Sequence, residues 1–118
     1  MHITLYHNPR CSKSRAVLSL LRDRQLDFEI IEYLKTPPDP STLYEILEKL
    51  GGSAAQLVRD SEKEYQTLDL AGADKHQLIE AIAEHPTLMQ RPIIVSEKRA
   101  VIGRPPEQAL TILKSATE

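Results

Sequence analysis

One cysteine stands in 118 residues, so the chain can form no internal disulfide, no CxxC redox pair and no multi-thiolate zinc site. Tryptophan is absent, phenylalanine occurs once and aromatics total 4%, which leaves an aliphatic core. No run reaches the roughly 18 apolar residues of a membrane span. The opening Met1-His2-Ile3-Thr4-Leu5-Tyr6 is too short and lacks the basic region of a signal peptide. An excess of positive charge is also missing: 15 Lys and Arg face 17 Asp and Glu, a formal charge of −2. A general nucleic-acid binder would show a basic excess. These absences point to one globular domain over residues 1–118 in a reducing, cytoplasmic compartment, with neither nucleic acid nor membrane as partner. A lone thiol there is either inert packing or the chemistry.

What is present has a clear order. Residues 2–6 alternate, with Ile3 and Leu5 on one face, and read as a strand that Asn8-Pro9 breaks. From Ser12 to about Asp23 the pattern turns helical, with Val17, Leu18, Leu20 and Leu21 as its apolar stripe. Residues 28–33 form a second short strand, and strand, helix, strand at this spacing is a parallel βαβ unit. Asp39 then caps a helix with Pro40 at its first position, which Gly51-Gly52 closes. Residues 53–72 read as short helical pieces with loops. Asp74 and Gln77 resemble a capping box that opens a helix ending at His85-Pro86. Residues 92–95 and 100–102 make an antiparallel hairpin, and Pro105-Pro106 starts a last helix. The order predicts an α/β, thioredoxin-like fold: a four-stranded mixed sheet with a helical insertion between its βαβ and ββα halves.

Cys11 falls at or just before the first helix, where unpaired N–H groups and the positive dipole end favour a thiolate. Between positions 7 and 24 lie Arg10, Lys13, Arg15, Arg22 and Arg24 against the single acid Asp23. The same arrangement suits a tetrahedral oxyanion beside the sulfur. Polar neighbours on both sides of Cys11 favour chemistry over packing. The C-x-x-S shape of Cys11-Ser12-Lys13-Ser14 suits a monothiol redox site, whereas Val17 at the sixth position after Cys11 excludes the C-x5-R phosphatase loop. Arg91 and Arg104 bracket the hairpin, which in such a sheet returns towards the first loop, and Arg91–Pro92 is expected to be cis. Arg59, like these two, would ordinarily be a surface arginine. His7, four residues before Cys11, fits equally a packed histidine or a group tuning the thiol. The four histidines show no metal spacing, and His76 and His85 read as solvated helix positions.

Tyr6-His7-Asn8-Pro9-Arg10-Cys11-Ser12-Lys13-Ser14-Arg15 resembles the Y-H-N-P-x-C-x-x-S-R motif of the glutaredoxin- and glutathione-dependent arsenate reductases, the ArsC family. The likeness continues through Tyr33-Leu34, Pro37-Pro38, Leu57-Val58-Arg59 with Tyr65, His85-Pro86, Arg91-Pro92-Ile93-Ile94-Val95 and Gly103-Arg104-Pro105. The resemblance implies that Cys11 attacks arsenate while Arg59, Arg91 and Arg104 hold the oxyanion and stabilise the thiolate. It implies supporting roles for His7, Asn8, Ser14 and Arg15. It further implies glutathione as co-substrate and glutaredoxin as partner, with no bound cofactor or metal and a monomeric chain. A solitary cysteine suits that scheme, since an external thiol must supply the electrons.

Members of the family commonly read C-G-T-S-R-N, where this chain has Ser12, Lys13 and Ala16. Two other readings accompany the first. One is a glutathione-dependent thiol oxidoreductase acting on another substrate. The other is a non-catalytic regulator that, like the Spx-type proteins the family resembles, binds RNA polymerase; Ser14 stands where their second cysteine would be.

Overall fold

A computed structural model of the chain describes residues 2–113; Met1 and residues 114–118, the outermost ends of the expected domain, lie outside that range. The chain divides into two compact units, one of Met1–Thr36 with Arg91–Glu118 and the other of Pro37–Gln90.

The first unit is built on a four-stranded sheet: β1 (Ile3–His7), β2 (Phe28–Glu32), β3 (Ile93–Val95) and β4 (Ala100–Ile102), in the order β2-β1-β3-β4. β1 runs parallel to β2 and antiparallel to β3, with Leu5 opposite Ile30 on one side and Ile94 on the other. β3 and β4 form the expected hairpin. The parallel pair requires a crossover, which α1 (Ser12–Asp23) supplies. Ile3, Leu5 and Ile94 pack with Val17 and Leu21 of α1 and with Ala109 and Ile112, so α1 and the C-terminal helix cover one face of the sheet. The sheet is mixed, and its βαβ and ββα halves flank the insertion in the thioredoxin-like order.

The C-terminal helix (Pro106–Leu113) is 3₁₀ rather than α. Its i→i+3 bonding is seen where Gln108 N–H donates to the Pro105 carbonyl at 2.9 Å. Residues three apart eclipse in a 3₁₀ helix, which aligns the two buried side chains Ala109 and Ile112. β2 ends one residue earlier than expected, as Lys35 and Thr36 N–H both turn back onto the Glu32 carbonyl.

The second unit is helical. α2 (Pro40–Leu50) starts at Asp39, whose side chain accepts from Thr42 N–H, and ends on Gly51 at φ 72°. That left-handed value is open to glycine at no steric cost. Residues 53–72 break into a 3₁₀ turn (Ala54–Leu57), α3 (Lys63–Thr67) and a second 3₁₀ turn (Leu70–Gly72). α4 (Lys75–Glu84) opens with the full Asp74–Gln77 capping box. It packs against α2 and the first 3₁₀ turn, in a unit whose buried side chains include the aliphatic Leu43, Ile46, Leu57, Ile79, Ile82 and Leu88. No described helix is long and apolar enough to cross a membrane.

Candidate active site

Cys11 is the N-cap residue of α1, with extended φ −92° and ψ 123°. Its carbonyl accepts the first helical bond, from Arg15 N–H at 3.0 Å, and its own N–H donates to the Asn8 carbonyl at 3.0 Å. The loop before it is tied down locally. Asn8 Oδ1 accepts from Arg10 N–H at 3.0 Å, and Arg15 Nη1 donates to the Pro9 carbonyl at 2.9 Å. The sulfur is thereby held over the start of α1.

Burial pushes the Cys11 thiol up. The backbone N–H of Ser14, a hydrogen bond from the Arg91 guanidinium, the N–H of Lys13 and the Arg91 charge outweigh it, so the thiol lies below its ordinary value. The anion is favoured by donors from two separate parts of the chain: the first turn of α1 and Arg91, two residues before β3. Arg91–Pro92 is cis, as the sequence led us to expect, and Arg104–Pro105 is cis as well. Gly103 follows β4 so closely that a Cβ there would lie 2.8 Å from Val17 Cγ2 and 3.0 Å from Pro92 Cγ. Its N–H donates to the Pro92 carbonyl at 3.0 Å. Arg104 is exposed and donates from Nη1 to the Arg91 carbonyl at 3.2 Å.

Beneath this loop lies a small polar network. Ser14 is fully buried, and His7 and Asn8 nearly so. Ser14 Oγ accepts from Asn8 N–H at 3.0 Å and lies 2.6 Å from His7 Nδ1. With one lone pair engaged by Asn8, the hydroxyl proton is free to go to a neutral His7 Nδ1. Burial lowers the His7 pKa; Glu32 opposes this, while Arg22 and Arg15 add to it. His7, Asn8 and Ser14 thus form the support of the thiol loop, and Arg15 its outer brace.

Arg59 alone among the sequence-predicted site residues belongs to the second unit. Its N–H donates to the Leu88 carbonyl at 2.7 Å, Gln90 N–H donates to the Leu57 carbonyl at 2.7 Å, and Val58 and Met89 form an isolated antiparallel bridge. Its Nη1 lies 3.2 Å from Glu62 Oε1.

The backbone N–H groups of Lys13 and Ser14 are donors that residue identity does not advertise; only the position of Cys11 before a helix signals them. The His7–Ser14 bond joins residues seven apart and has no periodic signature. The Arg59–Glu62 pair is signalled in the sequence by its i, i+3 charge spacing alone. Among the described residues no three His, Cys, Asp or Glu side chains are grouped so as to hold a metal ion.

A model of the ArsC family matches residues 6–112. The arsenate reductase of Neisseria meningitidis serogroup A is 46% identical over 114 residues, covering 94% of this chain and 97% of that protein. The uncharacterized protein YfgD of Escherichia coli (strain K12) is also 46% identical over 114 residues, covering 94% and 96%. The solved structure of an arsenate reductase from Vibrio cholerae superposes with a TM-score of 0.90 at 40% identity, covering 95% of this chain and 98% of that one.

Proposed function

The chain belongs to the ArsC family, and from that premise we propose that it is an oxidoreductase that reduces arsenate to arsenite through Cys11, with glutathione and glutaredoxin as electron donors. The observation that carries this reading is the sulfur itself: one thiol, lowered by two backbone N–H groups and Arg91, at a helix start suited to an oxyanion. Arsenate reductases at 40–46% identity over nearly the whole chain support it.

The proposed steps use groups already described. The Cys11 thiolate attacks As(V) and displaces one oxygen, which leaves as water after protonation. Glutathione then attacks the adduct at sulfur. A Cys11–glutathione disulfide forms, the S–As electron pair stays on arsenic, and arsenic departs as arsenite. Two thiolate sulfurs are each oxidised by one electron, and As(V) gains two. Glutaredoxin takes the glutathionyl group and restores the Cys11 thiolate. Arg91 and Arg104, in the same unit as Cys11, are assigned to the oxyanion, where bidentate guanidinium contacts suit a tetrahedral anion. The chain acts as a monomer, in the reducing cytoplasm that this thiol cycle requires.

Intact-mass analysis after incubation with arsenate and glutathione, without glutaredoxin, tests the sequence of steps. One glutathione per chain is expected, dependent on arsenate and absent in Cys11→Ser. An unmodified wild-type protein would contradict the scheme.

A further inference from the structure

Charge is divided unevenly along the chain. Residues 37–90 carry four Lys and Arg against ten Asp and Glu, whereas the sheet unit that holds Cys11 carries eleven against seven. Two of those eleven stand beside the thiol. Arg10 adjoins Cys11 and Lys13 follows it by two positions, and both are exposed. Among the described residues neither charged end takes part in a hydrogen bond or an ion pair, and Arg10 is tied down through its backbone N–H, which donates to Asn8 Oδ1. The other cations around the sulfur are engaged. Arg15 holds the Pro9 carbonyl, Arg104 the Arg91 carbonyl, and Arg91 the sulfur itself.

We propose that Arg10 and Lys13 are specificity-determining residues for the thiol donor, recognising the two carboxylates of glutathione. This rests on glutathione being that donor. The tripeptide carries a carboxylate at each end with its thiol between them. Cys11 in turn lies between two free cations in the chain, so charge and order match across the forming S–S bond. Attraction of this kind raises the encounter rate and discriminates by the sign of the incoming charge. Gln at both positions removes the charges and keeps the Arg10 N–H on Asn8 and the Lys13 N–H on the sulfur. If the two cations served only to favour the thiolate, their loss would slow every disulfide equally.

The test follows exchange of Cys11 with three disulfides: oxidised glutathione, which is anionic, 2-hydroxyethyl disulfide, which is neutral, and cystamine, which is cationic. In each the Cys11 thiolate attacks one sulfur, a mixed disulfide forms and the other half leaves as a thiolate. Rates taken relative to the neutral disulfide cancel any change in the thiol itself. In Arg10→Gln/Lys13→Gln the relative rate of oxidised glutathione should fall roughly 3- to 10-fold, the worth of two exposed ion pairs, and that of cystamine should rise. Both changes should shrink at high salt. Arg24→Gln/Lys98→Gln removes the same charge from the same unit. Arg24 ends α1 about 16 Å from Lys13, beyond a screening length of about 8 Å, and Lys98 lies in the hairpin turn, so this variant should leave the ratios unchanged. An unchanged ratio in the first variant overturns the proposal, as does an equal fall in the second. If oxidised glutathione leaves the wild-type thiol unmodified, glutathione as donor is itself refuted, an outcome distinct from a failure of the two cations alone.

Discussion

Replacing Arg91 by alanine removes a hydrogen bond and a positive charge from the Cys11 sulfur while leaving the backbone carbonyl that receives Arg104. A hydrogen bond to a charged group contributes about 1.5–3 kcal/mol. Taking the lower end, because water enters where the side chain was, the thiolate-to-thiol ratio falls about tenfold. Reactivity falls by less. A thiolate made more basic is also more nucleophilic, with a Brønsted coefficient of about 0.4–0.5, which restores roughly threefold. Iodoacetamide alkylation of Arg91→Ala should therefore be about three- to fourfold slower than wild type well below the midpoint. Well above it the variant should be about threefold faster. The two pH–rate curves must cross, and the wild-type midpoint must lie below the free-thiol value of about 8.5. Superimposable curves, or a variant uniformly slower at every pH, would refute the assignment of Arg91 to the thiolate.

The supporting network makes further predictions. Ser14→Ala leaves the buried His7 Nδ1 and Asn8 N–H without the hydroxyl they share and should destabilise the protein by about 1–3 kcal/mol in denaturant titration. An unchanged midpoint would dismiss the network. Burial, aided by Arg22 and Arg15 and opposed by Glu32, lowers the His7 pKa in the folded protein, so the unfolded chain takes up that proton first. The His7 contribution to stability is complete above the unfolded value of about pH 6.5 and is lost as pH falls from there through the lower folded-state pKa. Denaturation midpoints between about pH 7.5 and 5.5 should show this slope, and His7→Asn should flatten it. Gly103→Ala puts a methyl 2.8 Å from Val17 Cγ2 and 3.0 Å from Pro92 Cγ and should cost about 1–3 kcal/mol of stability. A wild-type melting profile would show that the contact relaxes freely.

Local chemistry made much of the fold readable. Asp39-Pro40 before an apolar stripe and Gly51 after it mark α2 because caps act on adjacent backbone, and Asp74 with Gln77 does the same for α4. Whether a turn winds as 3₁₀ or α depends on what lies beneath it, so the form of residues 106–113 could not be read. The site divides along the same line. Cys11 among Arg10, Lys13 and Arg15 announces itself, since helix start and charge are local in sequence. Arg91 approaches the sulfur from 80 positions away, and only the bracketing of the hairpin and the family resemblance pointed to it. That Ser14 ties His7 to the thiol loop and that Arg104 grips the Arg91 carbonyl are tertiary facts with no periodic trace.

The central claim is that this one thiol reduces arsenate. Arsenite formation from arsenate, with glutathione and glutaredoxin, compares wild type directly with Cys11→Ser. The account predicts turnover by the wild type that depends on both thiol donors and vanishes in Cys11→Ser. Arsenite production no faster than the mutant's background would contradict it.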